Sequence, residues 1–172
     1  MLLALLLAAA PPVADVHLSV AAGLGTAYGY AGAHVELAFD RVAVVAGLGI
    51  FQLLAGDAEW LTGRHASRPG LPVALGLRYS LRPAGGFFLA ATGCSIGYTY
   101  VDDFRTLNGN RVTATAGWRE NFGDHLFGEI ALGGGIAKVV DQGFSDYNGN
   151  ITPPRDDVVL QPDAAVALGA RF

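Results

Sequence analysis

The chain has 172 residues, of which 52% are hydrophobic and only 15% are charged, and its formal net charge is −4. An average soluble domain carries roughly 25% charged residues, so this chain is too poor in charge to cover an ordinary water-exposed surface. The lack of a basic surplus argues against nucleic acid as a partner. The single cysteine, Cys94, can form neither an internal disulfide nor a cysteine-based metal cluster, and we expect no cofactor and no metal.

The N-terminal residues read MLLALLLAAAPPVAD, an apolar run of about ten residues followed by small ones. This pattern resembles a secretory signal peptide, and it is too short for a membrane-spanning helix, which needs about 20 apolar residues. We therefore expect residues 1–14 to be a signal peptide that is cleaved after Ala14. The remainder, residues 15–172, is expected to form one domain.

Most of the remaining chain alternates between two residue phases, which is the period of a β-strand. The pattern predicts eight strands. They cover residues 16–30, 33–39, 42–50, 71–82, 88–100, 111–119, 126–137 and 158–172.

The predicted strands are longer than the usual 5 to 6 residues, and all but the second reach the roughly 9 to 11 that a tilted transmembrane strand requires. The connections after strands two, four and six are short, whereas those after strands three, five and seven are longer and polar. The link after strand one, near residues 29–32, is an exception because it is also short. Short turns at one end and long loops at the other are typical of outer-membrane barrels. The sequence thus predicts an all-β protein, an eight-stranded antiparallel up-and-down transmembrane β-barrel.

Composition of the two phases indicates which side of each strand faces outward. One phase holds most large apolar residues, and the other is dominated by Gly, Ala, Ser and Thr. A soluble lipocalin-like barrel would place large residues inside and charges outside. Small residues instead suit the crowded interior of a narrow eight-stranded barrel, so the large residues are expected to face lipid.

Aromatic residues near strand ends support this interpretation, because membrane barrels carry aromatic girdles at both interfaces. The sequence places seven of them on the lipid-facing phase: Tyr28, Phe39, Tyr79, Tyr98, Tyr100, Trp118 and Phe172. In the fifth strand, the same assignment puts Phe88, Thr92 and Cys94 on that phase.

The final residues, DAAVALGARF, continue the alternation to the C-terminus. An unpaired strand edge in hydrocarbon would leave backbone groups unsatisfied, so the last strand must pair with the first. Together with the long strands and the signal-like start, this ending resembles the small outer-membrane barrels of the OmpA/OmpX-like class. In that class the barrel assembly machinery recognises the last strand and its terminal aromatic residue as an assembly signal. Val166, Leu168 and Phe172 match this signal.

The resemblance implies location in the outer membrane of a Gram-negative bacterium, among lipids that include lipopolysaccharide. It also implies transient partners, namely periplasmic chaperones and the barrel assembly machinery. We expect the mature protein to be a monomer.

A set of charged residues falls on the inward phase of the predicted strands. Buried charges are very costly unless they are paired, so we expect an internal charge network that plugs the lumen near the end with the short turns. The alternative is a water-filled pore lined by the same groups, although eight strands leave room for little more than side chains. The residues are Glu36, Arg78, Arg119, Glu129 and Asp163.

The segment RHASRPG contains His65 and Ser67, which would share one face of a strand. This spacing loosely resembles the His-x-Ser pair of lipid A deacylases, which are also eight-stranded barrels. A serine nucleophile needs a base, and the base needs an orienting partner; Asp57 or Glu59 could serve only if the loop folds back. We therefore expect no enzyme. The expected role is structural or surface-interacting, with a small porin-like channel and a lipid A-modifying hydrolase as alternatives.

Overall fold

A computed structural model describes residues 16–28, 30–51, 66–69, 72–83, 85–100, 106–141, 144–145 and 151–172. The predicted signal peptide lies outside the described residues. Among the described residues, no helix is long and apolar enough to cross a membrane.

Eight antiparallel strands form the fold, and each one pairs with its neighbour in the chain. They are β1 Val16–Gly25, β2 Tyr30–Phe39, β3 Val42–Phe51, β4 Val73–Arg82, β5 Gly85–Tyr100, β6 Thr106–Phe122, β7 Leu126–Asp141 and β8 Arg155–Arg171. The segment Ala66–Pro69 pairs with the C-terminal end of β5. Separately, Phe144–Ser145 pairs antiparallel with Ile151–Thr152. The predicted all-β, up-and-down architecture is confirmed.

The sheet closes because β8 pairs with β1. Their register runs from Ser19 opposite Arg171 to Leu24 opposite Val166. The seam continues to the last residue, where the backbone N–H of Phe172 donates to the carbonyl of Leu18 at 2.8 Å. The expected pairing of the last strand with the first is therefore confirmed.

The two ends of the barrel differ in their connections. Both the first described residue and the C-terminus lie at the end where β2–β3, β4–β5 and β6–β7 are joined, which we call the turn end. Asp40 and Gly123 adopt positive φ values of 57° and 81° in these tight turns. The opposite end, which we call the loop end, carries the other connections. Strands β1 to β4 have 10 residues each, whereas β5 to β8 have 16 or 17, so one wall of the barrel extends further at the loop end.

The two faces of the wall are chemically distinct. Large apolar side chains cover the outside, including Leu77, Val112, Ile130 and Leu168, all of them exposed. The inside holds small residues together with a few buried charges. In β1 up to Leu24, in β2 to β4 and in β6 to β8, the described side chains face as the alternation predicts.

Strand β5 faces the other way from the prediction. Phe88 is 2% exposed, with Thr92 and Cys94 also buried, whereas Leu89 is 50% exposed on the outside. Both phases of this strand are apolar, so composition does not distinguish them. The pairing decides, because directly opposed residues share a face and Leu89 lies opposite outward-facing Tyr79.

The first strand is also shorter than predicted, because β1 ends at Gly25 and residues 26–28 form a 3₁₀ turn. Gly25 has φ +117°, a conformation that favours glycine and redirects the chain. The turn folds into the barrel, and Tyr28, predicted to face outward in an aromatic girdle, is 0% exposed inside it. We call Thr26–Tyr28 the inner turn. It accounts for the short link that breaks the alternation of loop lengths.

Candidate functional site in the barrel lumen

Four charged side chains meet inside the barrel near the turn end. Glu36 comes from β2, Arg78 from β4, Arg119 from β6 and Glu129 from β7. Arg119 and Glu129 are directly opposed in the β6–β7 ladder. The other contacts join strands that are not neighbours in the wall, so they must cross the lumen.

Each arginine bridges both glutamates. Arg78 Nη1 lies 2.5 Å from Glu36 Oε2, and its Nη2 lies 3.0 Å from Glu129 Oε1. Arg119 Nη1 lies 2.7 Å from Glu36 Oε1, and its Nη2 lies 2.9 Å from Glu129 Oε2. The four residues therefore form a closed cycle of alternating sign, which we call the charge ring.

The charge ring is electrically balanced and almost fully buried. Glu36, Arg78 and Glu129 are buried, and the Arg119 side chain is largely so. Two positive charges offset two negative ones, and guanidinium forks supply charge-assisted hydrogen bonds to both carboxylates. Such pairing is required because an unmatched buried charge is costly to hold away from water.

Aromatic rings pack against both arginines. The Arg78 guanidinium carbon lies 4.2 Å from the centroid of the Phe88 ring, and that of Arg119 lies 4.1 Å from the Phe127 centroid. Both phenylalanines are buried inside the barrel. A cation over an aromatic face gains electrostatic attraction, and the rings also exclude water from the ion pairs. Phe88 can stack on Arg78 because β5 faces the opposite way from the prediction, with Phe88 inside the barrel.

The inner turn lies next to the ring on its loop-end side. The Tyr28 hydroxyl donates to Glu129 Oε1, and the Tyr28 ring stacks on His34 with centroids 4.5 Å apart. The turn contacts β1, β2, β3, β4, β5 and β8, which places it in the middle of the lumen. Gly47 makes room for it, since a Cβ there would lie 2.1 Å from the carbonyl oxygen of Ala27.

Asp163, the fifth predicted member, is not part of the charge ring. It lies nearer the loop end, where its Oδ1 is 3.6 Å from Arg111 Nη2. Both side chains are buried. Arg111 was missed as a candidate although it shares the inward phase of β6 with Arg119, and that shared phase is the signal that points to it.

Arg111 also stabilises an unusual proline in β8. The backbone N–H of Arg171 donates to the carbonyl of His125, just before β7, and that of Phe172 donates to Leu18 of β1. Even-numbered residues of β8 therefore point their backbone groups toward β1. Among the described residues, β1 pairs with β8 only as far as Val166, so Pro162 lies on an edge beyond the seam. Proline has no N–H to leave unpaired there, and its carbonyl accepts from Arg111 Nη2 at 2.8 Å.

The structure describes no contact between His65 and Ser67, the pair that resembles a deacylase motif. His65, Asp57 and Glu59 lie outside the described residues. Ser67 falls in the short strand Ala66–Pro69, but its side chain also lies outside the description. In the described part of the chain, no group of three or more His, Cys, Asp or Glu residues could hold a metal ion.

The residues of the predicted assembly signal lie along the seam strand. Val166 and Leu168 on β8, and Phe172 directly after it, are exposed on the outer face in the same phase. Inward neighbours such as Ala167 are buried. The structure therefore presents the three side chains outward, at the strand that completes the barrel.

In comparisons with known proteins, no family model and no curated protein matches this chain. The closed eight-stranded barrel is compatible with a small outer-membrane barrel, and this compatibility is one of architecture.

Proposed function

We propose that the chain is an outer-membrane β-barrel with a structural or surface-interacting role, no enzymatic activity and a lumen closed to solutes. The observation that carries the proposal is the charge ring, which crosses the barrel with all four charges matched. The OmpA/OmpX-like resemblance remains part of the proposal.

The outer face supports membrane insertion. On β7, the outward residues from Leu126 to Ile136 carry no charge. The nearest charges are Lys138, toward the loop end, and Asp124, in the turn at the turn end. Ten residue steps of about 3.3 Å, tilted by about 40°, span about 25 Å. That height matches the apolar band of outer-membrane barrels. Closure of the sheet also satisfies the rule that no strand edge faces hydrocarbon along the seam.

Membrane insertion is tested by fractionation and gel mobility. We expect the protein in the outer-membrane fraction, with an electrophoretic mobility that changes on boiling, because a closed barrel resists detergent until it is heated. A soluble protein whose mobility is unaffected by boiling would overturn the proposed location.

Closure of the lumen is tested in planar bilayers. The inner turn and the charge ring fill successive levels of the lumen, so we expect no stable conductance from the inserted protein. Stable and sizeable openings would instead favour the porin-like channel.

Absence of hydrolase activity is tested with Ser67→Ala. We expect lipid A acylation to be the same in cells that express the wild-type chain, Ser67→Ala or no barrel. Loss of an acyl chain that depends on Ser67 would show that the deacylase alternative is right.

A further inference from the structure

His34 lies on the inward face of β2, on the loop-end side of the charge ring. It is 1% exposed, and its ring stacks on that of Tyr28 with an interplanar angle of 15°. Neither of its ring nitrogens has a hydrogen-bond partner among the described residues. A neutral imidazole has one N–H donor and one acceptor nitrogen to satisfy. His34 is therefore a buried titratable group that the described contacts use only for stacking.

The inner turn, which covers His34, is held in the lumen by few polar contacts. The Tyr28 hydroxyl donates to Glu129, whereas the buried Thr26 Oγ1 has no hydrogen-bond partner among the described residues. The turn begins after Gly25, whose φ of +117° favours glycine and gives the backbone a point at which to bend. The inner turn thus depends on packing, on the stack with His34 and on one described side-chain hydrogen bond.

The charged groups around His34 are already matched with one another. The titratable and charged groups that face it come from the inner turn, β2, β4 and β7: Tyr28, Glu36, Arg78 and Glu129. Its directly opposed neighbours on β1 and β3, Ala21 and Gly47, carry no charge. Both carboxylates are bridged by both arginines of the charge ring. Neither carboxylate is therefore left over as the partner of a further cation.

A proton on His34 would disturb this balance. The imidazolium would be a third positive charge beside two arginines and two glutamates, and it would carry two N–H donors without an acceptor in place. The attraction of a cation to the face of a tyrosine ring is smaller than the cost of holding an unmatched charge away from water. Protonation therefore favours an arrangement in which water reaches the imidazole.

We propose that His34 is an acid-sensitive latch, in which uptake of a proton by its imidazole releases the inner turn from the lumen. Release breaks the stack and the hydrogen bond from Tyr28 to Glu129, and it lets water enter from the loop end as far as the charge ring. The inference deepens the proposed closure of the lumen and rests on it, because it makes one of the two filling layers removable by acid.

The expected size of the effect follows from proton linkage. A histidine exposed to water takes up its proton near pH 6.5, and the docked imidazole has no partner for that proton. The ratio of released to docked inner turn should therefore rise about tenfold from about pH 7.5 to about pH 5.5. Free carboxylates titrate below this range, so His34 is the lumen group that responds within it.

NMR of the Tyr28 ring measures this ratio in the full-length mature barrel, folded in detergent micelles. Tyr28→Phe assigns the signal, and the docked ring is identified by the shift that stacking on His34 causes. We expect the tenfold rise in the wild type. His34→Phe keeps an aromatic ring in place but takes up no proton, so its ratio should stay the same at both pH values. His34→Gln gives the same readout if His34→Phe does not fold.

The matched control leaves His34 as the one remaining histidine. The chain has four histidines, and glutamine replaces the other three in this variant: His17, His65 and His125. Its ratio should rise as in the wild type. A wild type that does not respond to acid would overturn the latch. An equal response in His34→Phe, or a lost response in the triple variant, would also overturn it, because another group would then be the sensor.

Conductance at the higher pH separates the latch from the proposed function. A barrel that conducts stably in planar bilayers at about pH 7.5 overturns the closure of the lumen. A barrel that does not conduct there, and whose Tyr28 ratio is the same at both pH values, overturns the latch alone. Heat-modifiable mobility, measured at both pH values, shows that the wall remains closed while the inner turn is released.

Discussion

Glu129 links three other residues of the lumen. Its carboxylate accepts hydrogen bonds from Arg78, Arg119 and Tyr28. These donors come from two strands and the inner turn, so one side chain links distant parts of the chain. Loss of the Glu129 charge should therefore weaken contacts to both arginines and to the inner turn.

Neutralising Glu129 is expected to destabilise the barrel strongly. Glu129→Gln leaves two buried guanidinium groups facing one carboxylate, and breaking a buried ion pair in this way costs about 3–5 kcal/mol. Urea unfolding of the barrel in micelles measures the effect. Exposed Glu120→Gln is the control and should change stability by less than about 0.5 kcal/mol.

The double variant Glu129→Gln with Arg78→Gln sharpens this test. It restores charge balance with one arginine and one glutamate, so it should be more stable than Glu129→Gln alone. A double variant whose losses simply add would show that the two residues act independently.

His34 presents a different residue-level case. It is buried and stacked on Tyr28, and neither of its ring nitrogens has a hydrogen-bond partner among the described residues. A buried unsatisfied polar group costs about 1–3 kcal/mol, so His34→Phe, which keeps the stacking, should raise stability by about 1 kcal/mol. His17→Phe at the turn end is the control. A loss of stability on His34→Phe, with His17→Phe unchanged, would contradict this expectation.

At the scale of elements, the inner turn depends on glycine at one position of the opposing wall. Gly47→Ala would place a Cβ 2.1 Å from the Ala27 carbonyl oxygen, so the turn or β3 must move. We expect a loss of about 1–3 kcal/mol in the free energy of unfolding, together with a changed NMR environment for Tyr28. Gly93→Ala is the control, because its nearest neighbour would be 3.8 Å away. Unchanged Tyr28 signals in Gly47→Ala would mean that the turn does not pack against β3.

Strand β8 closes the barrel, and its end is the predicted assembly signal. Deleting Phe172 removes its exposed ring and the backbone bond to Leu18, so membrane insertion should fall in cells. Phe172→Ala keeps the backbone bond and should also impair insertion if the side chain is the signal. Phe122→Ala, another exposed aromatic at the turn end, serves as the control. Cell fractionation measures the outcome, and equal insertion of all variants would reject the signal.

At the scale of the whole molecule, the wall and its contents have separate roles. Backbone pairing around the full circle holds the barrel together, while the charge ring and the inner turn fill it. Removing the contents without breaking the wall should therefore open a path through the barrel.

This separation gives a prediction for conductance. A variant with serine at all four charge-ring positions and at Tyr28 should conduct ions in planar bilayers, whereas the wild type should not. Heat-modifiable mobility shows whether the variant is still a closed barrel. A folded variant that conducts no more than the wild type would show that other parts of the chain close the lumen.

The sequence by itself determined the number of strands, their order and the closure of β8 on β1. Period-two alternation fixes which residues share a face, and a terminal alternating strand has no stable place except beside another strand. The charges of Glu36, Arg78, Arg119 and Glu129 were also recognisable, because few charged residues share the small-residue phase. Alternation cannot choose a face where both phases are apolar, as in β5.

Only the tertiary structure decided the remaining features. The direction of Phe88 follows from the pairing of β5 with β4, which is set by neighbouring strands. The inward fold of Tyr28 depends on Gly25 and on space at Gly47, two sites that are distant in sequence. Asp163 joined Arg111 because contacts across a lumen depend on the height of each side chain along the barrel. That height depends on the registers of all strand pairs around the barrel, and the sequence of one strand does not determine them.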